Sequence, residues 1–239
     1  MKALILNSGM GTRMGVLTKE HPKCMTDIAE GESILSAQLK KLVKFGITDV
    51  VITTGYFDRV LVEYCSTLGL PLNYEFVYNP KYSETNYIYS IYCAREILRG
   101  EEILLMHGDL VFEDEALARV LEFPGSCMTV SSTLPLPEKD FKAVISDGKI
   151  TAVGIEFFEN ALAAQPLYKF TAKDWDIWLD RICAFCEAGT VKCYAENALN
   201  EVSGEMDLRP LDVLDLVCNE VDNGDDLAVV SARYRATLA

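Results

Sequence analysis

Near its N-terminus the chain sets four apolar residues, Ala3-Leu4-Ile5-Leu6, directly before Asn7-Ser8-Gly9-Met10-Gly11-Thr12-Arg13. An uninterrupted apolar run that stops at a glycine-rich turn reads as a strand buried on both faces, Lys2 to Asn7. Glycines just past such a strand let the backbone approach a ligand closely and leave amide N–H groups free to donate to an anion. Arg13 and, ten residues on, Lys23 of Pro22-Lys23 add cations. Neither common phosphate-loop pattern fits: Met14 stands where a dinucleotide fingerprint has its third glycine, and no Gly-Lys-Ser/Thr comes after it. Taken alone, the segment reads equally well as a tight turn with solvated basic residues.

Beyond this turn, strands and helices alternate. A helix is expected over Ser33 to Phe45, a strand over Asp49 to Thr54, a helix over Asp58 to Ser66 and a strand over Asn73 to Tyr78. A polar loop, Asn79 to Asn86, leads to a helix over Tyr87 to Leu98 and a strand over Glu102 to His107. This alternation predicts an α/β fold, a Rossmann-like, mostly parallel sheet flanked by helices, with ligands at the carboxyl ends of its strands. Ser8 to Arg13, Thr54-Gly55 and His107 to Asp109 then share one rim. The second half reads as a smaller elaboration. Strands are expected over Ser126 to Thr133, Phe141 to Ile145 and Ile150 to Ile155, with a turn at Ser146-Asp147-Gly148-Lys149. A helix is expected over Trp175 to Ala188, a short strand over Thr190 to Tyr194, and helical spacing over Leu211 to Cys218. With no Pro/Ser-rich linker, residues 1–239 read as one domain in two halves, 1–125 and 126–239, the second a substrate-side elaboration.

Charge narrows the class of partner. With 22 Lys plus Arg against 36 Asp plus Glu, the net charge is 22 − 36 = −14, which argues against a grip on nucleic acid or anionic lipid. Small-molecule chemistry is left. Met1 to Gly11 is too short an apolar stretch for a signal segment, so a cytoplasmic location is expected, with the eight cysteines as reduced thiols. Cys183-x-x-Cys186 falls in an amphipathic helix and reads as structural.

Leu6-x-x-Gly9-x-Gly11-Thr12-Arg13 with Pro22-Lys23 resembles the L-A-A-G-x-G-x-R…P-K signature of the nucleotidyltransferases that activate sugar phosphates and phosphocholine; Asn7 and Ser8 stand in place of the two alanines. Thr54-Gly55-Tyr56 matches that family's T-G-Y. Asn79-Pro80-Lys81-Tyr82, Thr85-Asn86 and Ser90 resemble the segment of its bacterial phosphocholine cytidylyltransferase branch, where sugar-nucleotide enzymes carry Q-P-x-G-L. The resemblance implies a fold of the nucleotide-diphospho-sugar transferase type and transfer of CMP from CTP to a phosphorylated alcohol or phosphonate, with release of pyrophosphate. It further implies Arg13 and Lys23 as catalytic cations, and Leu6, Ser8, Gly9, Met10, Gly11, Thr12, Gly55, Tyr56, Thr85, Asn86, Ser90, His107 and Gly108 around the nucleotide. Mg²⁺ would sit on Asp109 and Asp222, the latter from Glu220-Val221-Asp222, with Asp207 as rival to Asp222. For the acceptor the branch implies Lys173 and Asp174 in Thr171-Ala172-Lys173-Asp174, and Tyr194 and Glu196 in Tyr194-Ala195-Glu196-Asn197. Both tryptophans expected in those two stretches are missing, and Trp175 or Trp178 serves either as a substitute wall or as helix core. Two other readings stay open: a sugar-1-phosphate nucleotidyltransferase using another nucleotide, and a non-catalytic nucleotide-binding domain. Monomer and dimer are equally compatible with the chain.

Overall fold

The computed structural model describes residues 1–238. Strand β1 (Lys2–Leu6) has four buried residues in five, as a central strand covered on both faces requires. Past the glycine turn, a ribbon of β2 (Asp27–Ala29) and β3 (Glu32–Ser33) leads into α1 (Ile34–Lys44). The start of α1 is fixed by a capping box. Ser33 Oγ accepts from the Ser36 amide at 3.1 Å while Ser36 Oγ accepts from the Ser33 amide at 2.9 Å. Strand β4 (Asp49–Thr54), α2 (Asp58–Thr67), β5 (Asn73–Tyr78), α3 (Tyr87–Leu98) and β6 (Ile103–His107) continue the alternation. Parallel pairing sets Leu6 opposite both Thr53 and His107. The exits of β1, β4 and β6 therefore open on one rim, where ligands of such sheets sit.

The chain then makes β7 (Leu110–Phe112), α4 (Asp114–Glu122) and β8 (Ser126–Ser131), and the hairpin of β9 (Lys142–Ser146) and β10 (Lys149–Gly154). Asp147 and Gly148 take φ of 50° and 73° at its turn, the paired left-handed conformation that a two-residue hairpin favours. Strand β11 (Ala161–Phe170) runs antiparallel to β6, β8 and β9 and joins the two halves into one sheet, ordered β10-β9-β11-β6-β1-β4-β5. After it come α5 (Ala172–Glu187), α6 (Ala195–Val202), β12 (Leu208–Asp212) alongside β8, β13 (Cys218–Glu220) alongside β7, and α7 (Gly224–Thr237). The fold is thus α/β, a mostly parallel central sheet flanked by helices.

Two expectations are corrected. Thr190 to Tyr194 is a loop, because the chain there only turns from α5 into α6. Leu211 to Cys218 is not helical: it spans the end of β12, a turn with Leu214 at φ 55°, and the start of β13. Hydrophobic layers cover both faces of the sheet, one with Leu4, Leu6, Leu105 and the α5 residues Trp175 and Trp178, the other with Ala3, Ile5, Ile52 and the α1 residues Leu35 and Leu39. Both tryptophans are wholly buried, which assigns them to the core. No helix among the described residues is long and apolar enough to cross a membrane, and all eight cysteines are free.

Candidate active site

At the rim lies a cleft of about 440 Å³. The turn after β1 forms one wall, with Leu6, Ser8, Gly9, Met10, Gly11, Thr12 and Arg13 all lining it. Gly11 holds φ 62°, a conformation side chains disfavour, and its carbonyl accepts from Thr18 Oγ1 at 2.9 Å. Gly55 does not line the cleft but lets the wall form: a Cβ there would lie 2.3 Å from the Ser8 carbonyl oxygen. Tyr56 is also outside the lining, largely exposed, its ring 6.0 Å from that of Tyr82.

The floor carries the charges. Lys23 Nζ donates to Asp109 Oδ2 at 2.5 Å and to Asp222 Oδ1 at 2.8 Å, and Arg13 donates to Asp222 Oδ2 at 2.8 Å. Asp109 follows the exit of β6, Asp222 follows β13, and the Val221 amide donates to the Asp109 carbonyl at 3.0 Å, so the main chain clamps the two carboxylates side by side. Burial acts to raise the Asp109 carboxyl, but Lys23 and His107 overcome it and hold it below its ordinary range; burial acts to lower Lys23, and Asp109 and Asp222 hold it above. Asp207 lies elsewhere, exposed and paired with Arg209 and Lys149. Beside the floor, His107 Nδ1 donates to Glu220 Oε1 at 2.9 Å. Burial opposes the charge on His107, yet Glu220 raises the ring to about 9; burial and then Asp109 raise Glu220 to about 6.

Asn79, wholly buried at the end of β5, organises the far wall. Its Nδ2 donates to Thr85 Oγ1 at 3.2 Å and Ser90 Oγ at 3.0 Å, and its Oδ1 accepts from the Lys81 amide at 2.8 Å. Thr85, Asn86 and Ser90 line the cleft, and the Asn86 side chain also caps α3 by accepting from the Tyr87 amide at 2.7 Å. Gly108 faces the cleft next to Asn7, whose Oδ1 would meet a Cβ on Gly108 at 1.7 Å.

On the remaining side stand aromatic rings: Tyr194 lies 5.0 Å from Phe141 and 5.9 Å from Tyr87, and Tyr87 lies 5.0 Å from His107. Glu196 is behind this wall and not in it, buried and accepting from Tyr168 Oη at 2.8 Å and from Tyr87 Oη. Lys173 and Asp174 are not brought to the cleft. Because β11 runs antiparallel to β6, its end at Phe170 pairs with Ile103, at the opposite end of the sheet from His107, and α5 starts there. Lys173 points to solvent, and Asp174 accepts from Ser126 Oγ at 2.5 Å and Thr171 Oγ1 at 3.2 Å. Sequence reasoning also passes over Tyr87, Phe141, Lys139, Asp140 and the role of Glu220, all of which line the cleft. Only Glu220 leaves a signal, its place in Glu220-Val221-Asp222 two residues before Asp222.

Residues 3–131 match the family model described as the MobA-like NTP transferase domain. A CTP:phosphoglutamine cytidylyltransferase of Campylobacter jejuni is 26% identical over 126 residues, 51% of this chain and 48% of that protein. Choline-phosphate cytidylyltransferase of Streptococcus pneumoniae is 32% identical over 104 residues, 44% of this chain and 43% of that protein. Mannose-1-phosphate guanylyltransferases match over similar stretches of this chain. The chain thus spans less than half the length of these curated relatives. The solved structure of CTP:phosphocholine cytidylyltransferase from Streptococcus pneumoniae superposes with a TM-score of 0.76 at 19% identity, over 97% of each chain, a likeness of fold.

Proposed function

We propose a function from a premise that the family match supplies: the chain belongs to the MobA-like NTP transferase domain family. It transfers CMP from CTP to a small phosphorylated alcohol or phosphonate and releases pyrophosphate. The observation that carries this reading is the ion-pair chain at the cleft floor, where Lys23 bridges Asp109 and Asp222 and Arg13 joins Asp222, directly below the glycine turn. The cytidylyltransferases among the relatives favour CTP as the nucleotide.

In this mechanism an oxygen of the acceptor's phosphate attacks the α-phosphorus of CTP in line with the departing pyrophosphate. A phosphate monoester already offers an anionic oxygen near neutral pH, its second pKa being about 6, so the attack requires no general base. The difficulty is bringing two anions together: at 4 Å two unit charges repel by about 4 kcal/mol at an effective dielectric of 20. Arg13 and Lys23 offset that charge, and the amides of Gly9 to Arg13 donate to the phosphates. Gly55 and Tyr56 shape the nucleotide side from behind, and Thr85, Asn86 and Ser90, ordered by Asn79, face the base. Tyr194, with Tyr87 and Phe141, receives the acceptor's organic part; Glu196 steadies Tyr87.

The donor set fits a hard divalent cation, since the Asp109 and Asp222 oxygens both reach a single point now taken by the Lys23 ammonium. These two carboxylates would hold Mg²⁺, which when bound supplies further neutralisation of phosphate charge. We place the protein among soluble, cytoplasmic small-molecule enzymes.

The test is pyrophosphate release from CTP, UTP, dTTP, ATP and GTP with Mg²⁺, crossed with phosphocholine, phosphoethanolamine, 2-aminoethylphosphonate and hexose 1-phosphates. Turnover with CTP and a phosphoalcohol or phosphonate is expected, and K23A and D109A, folded normally, lose on the order of a hundredfold or more in kcat. Turnover with hexose 1-phosphates alone, or wild-type rates in both variants, would overturn the reading.

A further inference from the structure

We propose that His107 positions the phosphoryl or phosphonyl end of the acceptor through its Nε2, and that Glu220 holds the ring for that task. This rests on the cleft being a cytidylyltransferase site and moves His107 from the nucleotide to the acceptor.

The ring of His107 has neighbours of two chemical kinds. The first are Asp109 and Glu220; one ligand atom from each of the three residues lies within 4.8 Å of the others. Here the charged floor begins. The second are the rings of Tyr87 and Phe141, with centroids 5.0 Å and 6.5 Å away, where the aromatic wall begins. An acceptor that presents its phosphoryl group to the floor and lays its organic part along the wall must set the junction of the two beside this ring.

The ring is oriented in advance. Its Nδ1 donates to Glu220 at 2.9 Å, and Gln38 Nε2 donates to the carbonyls of His107 at 2.9 Å and Leu110 at 2.8 Å, fixing the main chain on either side of Gly108-Asp109. The other nitrogen, Nε2, has no hydrogen-bond partner among the described residues, in a residue that lines the cleft and is only 9% exposed. Buried polar atoms are ordinarily satisfied, so one left open at a cleft points to a ligand. With Nδ1 committed to Glu220, Nε2 is the ring atom left to meet a ligand, and a hydrogen bond between it and an oxygen of a phosphoryl or phosphonyl group fits its place at the edge of the charged floor.

The chain has two histidines, His21 and His107, so their ring nitrogens are separable in a long-range ¹H–¹⁵N spectrum, with H107N to assign them. Phosphocholine, phosphoethanolamine, 2-aminoethylphosphonate and inorganic phosphate are each added with CMP and Mg²⁺, and CTP with Mg²⁺ is added separately. The His107 Nε2 signal is expected to move with the phosphate or phosphonate compounds, to stay unchanged with CTP, and His21 to stay still throughout. In steady-state kinetics H107N keeps an amide facing Glu220 but has nothing at Nε2. It is expected to raise the acceptor KM about ten- to a hundredfold at constant CTP KM, the loss of one hydrogen bond to a charged group. H107Q, whose amide nitrogen reaches the Nε2 position, recovers part of that loss. A response to CTP alone, no response to any of the four compounds, or an unchanged acceptor KM in H107N would overturn the proposal. A wild-type protein that releases no pyrophosphate with any acceptor, yet shows the Nε2 response, would sink the functional reading and leave this contact standing.

Discussion

Two glycines in the same wall make opposite predictions. A Cβ on Gly55 would sit 2.3 Å from the Ser8 carbonyl oxygen, a main-chain atom that moves only with the whole turn, whereas a Cβ on Gly9 would meet nothing within 4 Å. Gly55→Ala is therefore expected to lower stability by about 1–3 kcal/mol through overpacking. Gly9→Ala is expected to melt like the wild type and, on the proposed function, to weaken CTP binding on the order of tenfold, because its methyl enters the open space beside the turn. Thermal melts and CTP titrations of the two variants check this, and an unchanged CTP affinity in Gly9→Ala would remove the phosphate from that space. At this scale the sequence is most legible in charged residues set at motif spacing: Arg13, Lys23, Asp109 and Asp222, each picked out by its motif, meet in one ion-pair chain. It is least legible where the partner comes from a distant element. Nothing local to Tyr87 or Phe141 announces that each will meet Tyr194.

Elements built from local rules are readable, and those that depend on the finished sheet are not. The capping Ser33 and the Asp147-Gly148 turn mark α1 and the hairpin without any tertiary context. Strand β11 is hidden because its ten residues, ALAAQPLYKF, alternate in neither polarity nor size and contain Pro166, which ordinarily argues against a central strand. The structure accommodates the proline in an irregularity of register against β8, between Ala164 and Tyr168. The hidden strand also decides where the next helix begins: without an antiparallel return, α5 would start at the ligand end, where Lys173 and Asp174 could serve the acceptor. Lys173→Ala is accordingly expected to leave kcat and both KM values at wild-type levels. Asp174→Ala, which strips the buried acceptor from Ser126 and Thr171, is expected to cost about 1–3 kcal/mol in a urea titration. A raised acceptor KM in Lys173→Ala would restore that helix end to the site.

The molecule as a whole does not divide at residue 125 as cleanly as the order of elements suggests. Strand β11 pairs with β6, the Trp175 and Trp178 rings share a core with Leu4 and Leu105, and the chain returns at its end to lay β13 on β7 and pack Val230 and Tyr234 of α7 with Ile28 and Ile34. Unfolding is therefore expected as one cooperative transition, with tryptophan fluorescence, which reports only α5, and far-UV circular dichroism, which reports every element, tracing the same urea curve. Two separated midpoints would mean that the halves are independent units. The same closure brings Asp222, far along the chain, to Lys23 and Arg13 near its beginning. In that state the floor of the cleft is its own electrolyte: Lys23 and Arg13 are already matched by Asp109 and Asp222, and the field outside, from a net charge of −14, does not draw anions in. For a nucleoside triphosphate, entry at that floor would then be an exchange of partners among charges already paired and not a fall into a positive well.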